Sequence, residues 1–205
     1  VPGISAFNVS NALLKRDPEH PGSGFRPYWQ ETGRPMMCGI TGTPGTGKTS
    51  VADELARQGF PVLHLSDTIS GYVIEKDQER DTLIIDEERW AAGFLPFEGF
   101  VEGHLAHLLS CDRIVVLRCR PDVLIERLKK RGYGEEKIRE NALAEALDVI
   151  LIETVDSFSP EQVYELDTTD KSTAECSMKT DQFAKGQIPA SFGTIDWSSY
   201  IGLIE

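Results

Sequence analysis

The stretch "GTPGTGKTS", Gly42 to Ser50, matches the pattern G-x-x-x-x-G-K-[ST] through Gly42, Gly47, Lys48 and Thr49. Each fixed position has a physical task. Glycines let the backbone turn so that successive N–H groups face phosphate oxygens, Lys48 reaches the β- and γ-phosphates, and the Thr49 hydroxyl ligates Mg²⁺. A helix starting at Thr49 adds its N-terminal dipole. Given the frequency of glycine, a chance match is expected in on the order of one chain in a hundred of this length. The flanks fit the same reading. "MMCGIT" (Met36 to Thr41) is a short apolar run suited to a buried strand, and "TSVADELARQG" sets Val51, Leu55 and Ala56 at helical spacing before a Gly59 stop.

Working outward, a βα rhythm follows. "PVLHL" (Pro61 to Leu65), "GFVEG" (Gly99 to Gly103), "RIVVLRC" (Arg113 to Cys119) and "QVYELDTT" (Gln162 to Thr169) read as four further strands. Helices between them are what parallel crossovers require. "PDVLIERLKKRG" (Pro121 to Gly132) has proline in its first turn and a glycine stop. "EEKIRENALAEALDVILIETVDSF" carries Ile138, Ala142, Leu143, Leu147, Ile150, Leu151 and Val155 on one apolar stripe. The expected fold is α/β: a three-layer α/β/α P-loop NTPase fold on a five-stranded parallel sheet. Between Ser66 and Phe97, "YVIEKDQERDTLIIDEERW" has two apolar runs around a charged centre, which predicts a small insertion and a place for a second substrate.

Residues 1–35, rich in Pro, Gly and charge, read as a flexible N-terminal extension, with Met36 or Met37 a natural beginning. Residues 36–170 form the expected core and 171–205 a C-terminal helix and tail, whose Trp197, Tyr200 and Ile201 need a surface to pack on. The chain of 205 residues has 33 acidic against 21 basic residues, a formal charge of −12. That balance argues against a protein that coats nucleic acid through counterion release. No run approaches the length of a membrane span and no secretory signal pattern is present, so a cytoplasmic protein is expected. The four cysteines, Cys38, Cys111, Cys119 and Cys176, lack metal-site spacing and are given no chemistry.

Three constellations bear on where the phosphate goes. "FVEGH" ends a strand with Glu102 and His104 at the edge where ligands of open α/β sheets gather. An acid there holds a water of the Mg²⁺ shell, or is a surface strand-end charge; His104 is catalytic or structural. Arg127 and Arg131, one helical turn apart, suit base stacking and phosphate clamping, or belong to a solvated helix end. Gly132 and Gly134 after them are hinges for a short lid that excludes water. The insertion supplies Asp67, Arg80, Asp86 and Arg89 as candidate acceptor contacts, with Asp86 and Glu87 equally suited to cap a helix.

From Met37 to about Asp156 the chain resembles the adenylate kinase isoenzyme 6 family, in an archaeal-like branch. That family is a branch of the nucleoside monophosphate kinases, also described as small-subunit ribosome assembly factors. The carrying residues are "TGTPGTGKTS", "SDTI", "IIDEERW", "VEGH" and "RLKKRGYGEEKIREN", in that order. The resemblance implies ATP:AMP phosphotransfer with accompanying ATPase activity in small ribosomal subunit maturation. It implies ATP contacts from Gly45, Gly47, Lys48, Thr49, Ser50 and Arg131, a monophosphate-binding region over 64–85 and a lid over 130–140. It places the Walker B acid and histidine on Glu102 and His104, with Mg²⁺ as cofactor. It also implies ATP, ADP and AMP as ligands and a small-subunit platform ribosomal protein as partner, with indirect contact to ribosomal RNA. The alternatives are an ATP-driven assembly factor with incidental kinase activity and a small-metabolite kinase on the same plan. Where the eukaryotic branch has aspartate this chain has Glu102, a later aspartate is replaced by His107, and the D-G-[FY]-P-R motif of ordinary adenylate kinases is missing.

Overall fold

The computed structural model describes residues 36–77 and 82–204. The N-terminal extension over 1–35 and Arg80 lie outside them. The strand β1 (Met37–Thr41) is buried at all five positions and sits at the centre of a five-stranded sheet. With β2 (Val62–His64), β5 (Gly99–Glu102), β6 (Arg113–Arg118) and β7 (Val163–Asp167), the order is β2-β5-β1-β6-β7, all parallel. Strands covered on both faces need apolar residues on both sides, and the sequence supplies them in alternation. Ile40, Phe100, Val115 and Leu117 pack on one face with Val51 and Leu55 of α1 (Lys48–Arg57) and with Cys176 and Phe183 of α6 (Thr173–Ala184). On the other face, Ile114 and Val116 meet Leu151 of α5 (Val149–Ser157), while Met37 and Val101 meet Trp90 of α2 (Glu87–Gly93). Each fully buried aliphatic or aromatic side chain contributes roughly 1.5–3 kcal/mol of transfer free energy. These three layers are the P-loop NTPase architecture expected from the βα rhythm.

Three local expectations are corrected. Helix α1 starts at Lys48, and its buried face is Val51, Ala52 and Leu55; Ala56 is exposed. The long helix expected after Glu135 is two helices, α4 (Glu135–Ala146) and α5, separated at Asp148. Asp148 takes a left-handed conformation, φ 58°, which a non-glycine residue adopts at a cost; its carboxylate accepts from Arg118. The stripe is broken accordingly, and Leu147 faces solvent.

The insertion is a hairpin of β3 (Val73–Asp77) and β4 (Thr82–Ile85), followed by α2. Trp90 anchors it, 1% exposed, its indole N–H donating to Thr68 Oγ1 at 2.9 Å. The expected lid is the corner between α3 (Pro121–Lys130) and α4, turning at Gly132 with φ 76°. Helix α6 opens on a capping box of Ser172 and Glu175. The short terminal helix α7 (Ile201–Ile204) packs against α4, with Trp197 edge-on to Tyr200 at 6.1 Å between ring centroids.

Candidate functional site

The loop from Gly42 to Gly47 joins the C-terminal end of β1 to α1, where a strand end and a helix N-terminus meet. Its shape depends on glycine at three positions: at Gly42, φ 139°, a Cβ would stand 2.4 Å from the Leu117 carbonyl oxygen. Gly45 has φ 95°, a conformation that favours glycine, and a Cβ there would stand 2.7 Å from Leu124 Cδ1, so the Leu124 methyl would also have to shift. Gly47 has φ 103° with open space around it, so only its conformation asks for glycine. The loop is tied internally by Thr46, whose N–H and hydroxyl both donate to Thr43 O at 3.2 and 2.9 Å. Thr168, at the end of β7, donates its hydroxyl to Thr46 O at 2.8 Å.

Lys48 Nζ donates to Gly42 O at 2.8 Å and Thr43 O at 3.1 Å, which holds the ammonium over the loop. Burial lowers its pKa to about 8; Glu102 and Glu145 oppose that shift and Arg131 adds to it. The Thr49 hydroxyl donates to Glu102 Oε1 at 3.3 Å. Glu102 is buried at the end of β5, and its Oε2 lies 2.8 Å from His64 Nδ1; His64 Nε2 is 3.5 Å from Asp53 Oδ1. A hydroxyl and a carboxylate so placed form an all-oxygen donor pair, which fits Mg²⁺, an ion that takes few protein ligands and keeps waters.

His104 lies just past β5 on the exposed side, and Thr41 Oγ1 donates to its carbonyl at 3.0 Å. Although solvent reaches the residue, packing around the ring, then the charge of Lys48 and the neighbouring His107, push its pKa down, so the imidazole is neutral at pH 7. His107 is buried, with Nδ1 3.5 Å from Thr41 Oγ1 and Nε2 3.2 Å from Glu153 Oε2. Burial lowers its pKa as well.

A cleft of about 350 Å³ opens beside the loop, with Gly45, Gly47 and Ser50 on one wall and Arg127 and Arg131 on another. The third wall comes from the segment after β7 and the start of α6, through Thr168, Lys171 and Thr173. Arg127 is fixed there: its guanidinium donates to Thr168 O at 3.0 Å and Thr169 O at 3.3 Å. The structure therefore brings together Gly45, Gly47, Lys48, Thr49, Ser50, Glu102, Arg127 and Arg131 around one loop. Asp67, Asp86 and Arg89 do not line the cleft. Asp86 caps α2 by accepting from Arg89 N at 3.1 Å, Arg89 lies 5.9 Å from the Tyr72 ring centroid, and Asp67 is exposed just past β2.

Sequence reasoning missed His64, Thr168, Lys171 and a buried network around Arg118 and Glu145. His64 ends the strand beside Glu102 in the sheet, and its place at the C-terminal edge was the one signal available. For the others no local motif exists, because their partners are tens of residues away in sequence.

Residues 38–148 match the model of an AAA domain family, just over half of the chain. Among curated proteins, "Putative adenylate kinase" of Archaeoglobus fulgidus is 45% identical over 168 residues, covering 80% of this chain and 93% of the relative. Proteins of the same name from Natronomonas pharaonis and Methanothermobacter thermautotrophicus are 41% and 40% identical over 81% of this chain, covering 100% and 99% of theirs. A gluconokinase from Sinorhizobium meliloti 1021 covers 75% of this chain at 17% identity and TM-score 0.49, a likeness too slight to bear on substrate. Identity at this level over four-fifths of the sequence decides descent: the chain belongs to the P-loop adenylate kinase-like family of these archaeal proteins.

Proposed function

We propose that the protein transfers the terminal phosphoryl group of ATP to a nucleoside monophosphate, with AMP as the acceptor that its relatives' names favour. The observation that carries this reading is the convergence of a glycine-shaped phosphate loop, Lys48 and the Thr49–Glu102 pair at 3.3 Å beside a cleft walled by Arg127 and Arg131. Phosphoryl transfer asks the protein for positioning and charge neutralisation rather than a covalent intermediate. The loop amides and Lys48 neutralise the β- and γ-phosphates, Arg131 adds charge from the lid corner, and Ser50 borders the donor. Thr49 and Glu102 are the residues that would hold Mg²⁺, which supplies charge neutralisation between the phosphates when bound.

The attacking oxygen of a monophosphate is already ionised at pH 7, so transfer needs no general base. Hydrolysis does need an oriented water. His104 and Glu102, two residues apart at the end of β5, are the residues proposed to orient one in an accompanying ATPase activity. Asp67, Asp86, Arg89 and Arg80 are the insertion residues proposed to act on the acceptor side, Asp86 in addition to its cap on α2.

A role in small ribosomal subunit maturation rests on the resemblance, including its ribosomal protein partner and indirect contact with ribosomal RNA. The acidic balance of the chain suits a basic partner. No helix among the described residues is long and apolar enough to cross a membrane.

Two adenosines joined by five phosphates test the two-site reading. If donor and acceptor lie in line, this molecule binds the full chain with Mg²⁺ at least a hundredfold more tightly than ATP, because linking turns the second contact intramolecular. Affinity no better than that of ATP would remove the acceptor site.

A further inference from the structure

Thr43, the residue after the first loop glycine, is 2% exposed and donates its hydroxyl to Glu145 Oε2 at 2.5 Å. Glu145 lies in the last turn of α4 and is likewise 2% exposed. Its Oε1 accepts from Arg118 Nε at 2.8 Å and from the backbone N–H of Cys119 at 3.0 Å. Three donors from two separate segments thus converge on one buried carboxylate, an acceptor-only group that needs such donors. Arg118 also donates to the Glu145 carbonyl at 3.0 Å and pairs with Asp148 and Glu165.

We propose that Glu145 is a positioning residue for the phosphate loop: its carboxylate fixes Thr43 and carries the placement of lid helix α4 to the amides that face phosphate. The helix begins at Glu135, beside the lid corner, and its 12 residues end next to the loop. At about 1.5 Å per residue it is a rod of roughly 18 Å. One rigid element therefore spans from the lid to the base of the phosphate loop. A loop already held in its binding conformation loses less freedom when a ligand arrives, and this gain appears as affinity. The inference deepens the proposed function and rests on reading the loop as an ATP site.

The test compares Thr43→Val, Thr43→Ser and Glu145→Gln in the full chain by amide hydrogen exchange of the free protein and by steady-state kinetics with MgATP. Thr43→Val is expected to speed exchange of the amides over 42–47 about tenfold and to raise KM for ATP about tenfold, with kcat within about twofold. Glu145→Gln turns an amide donor toward one of three donors and is expected to act in the same direction. Thr43→Ser keeps the hydroxyl and is expected to stay within about twofold of wild type in both readouts. Wild-type exchange and KM in Thr43→Val would overturn the proposal, as would faster exchange spread evenly over the chain, which marks a role in overall stability alone. If the wild type does not use ATP, the ATP reading fails, and the exchange pattern still decides for or against Glu145.

Discussion

Replacing Arg118 with methionine keeps an unbranched stem, though a shorter one, and removes the guanidinium charge from the C-terminal end of β6. Arg118 is 2% exposed in β6, and it faces Glu145 at 2.8 Å together with Glu165 and Asp148. The Glu145 and Glu165 side chains are 2% and 1% exposed, so the substitution strands two carboxylates away from water. Breaking a buried pair from one side costs about 3–5 kcal/mol, because the remaining charge is left uncompensated. For a chain of this size each kcal/mol lowers Tm by about 2–4 °C, so Tm is expected to fall by about 10 °C. The deficit depends on pH. Burial already raises the Glu165 pKa, with Arg118 the largest opposing influence, so the variant raises it further. A carboxyl whose folded pKa exceeds its unfolded value stabilises the fold below the unfolded value and loses that contribution as pH rises through the folded one. The Tm gap is therefore expected to be wider at pH 7 and to shrink on acidification toward the unfolded value near about 4.3. Thermal melts by circular dichroism at both ends of that range check it. A Tm within about 2 °C of wild type at pH 7, or a gap that widens on acidification, would refute the reasoning.

Nucleotide binding is expected to take up a proton above pH 8. Burial holds the free Lys48 amine near a pKa of about 8, and a polyphosphate beside it favours the charged form, so affinity falls as pH rises past that value. Calorimetry at about pH 8.5 in buffers of different ionisation enthalpy reads the uptake, and proton release would contradict it. The four cysteines are all free and buried, with burial raising Cys111 to about 12 and Cys119 to about 11. All four thiols are accordingly expected to resist an aromatic disulfide reagent at neutral pH in the folded chain and to react together in urea; fast labelling of one in the native protein would show that its shielding is incomplete.

The sheet and its three layers were legible because they depend on short-range signals. Apolar runs such as "RIVVLRC" hold residues for both faces, and the loop glycines mark a backbone that few sequences allow. The pairing of Thr49 with Glu102 was also foreseeable, since both the loop and the strand end are motifs with fixed places in the fold. The break at Asp148 was not. Its stripe of apolar residues continues across the break, and the residue that engages Asp148 there, Arg118, lies 30 residues earlier in sequence. The Thr43–Glu145 contact spans 102 residues and involves types common in any chain, so only three-dimensional placement gives it meaning. On the insertion, Asp86 had two readings, and its cap on α2 is the one whose hydrogen bond is present.

Phosphoryl transfer from the loop to a monophosphate is decided by turnover of ATP with Mg²⁺ in the presence and absence of AMP. Scoring ADP against free phosphate, with Lys48→Ala as the blank, separates transfer from hydrolysis. Two ADP are expected for each ATP consumed when AMP is present, with little phosphate. Phosphate released at the same rate with or without AMP would contradict it, and would leave a loop and cleft that serve hydrolysis alone.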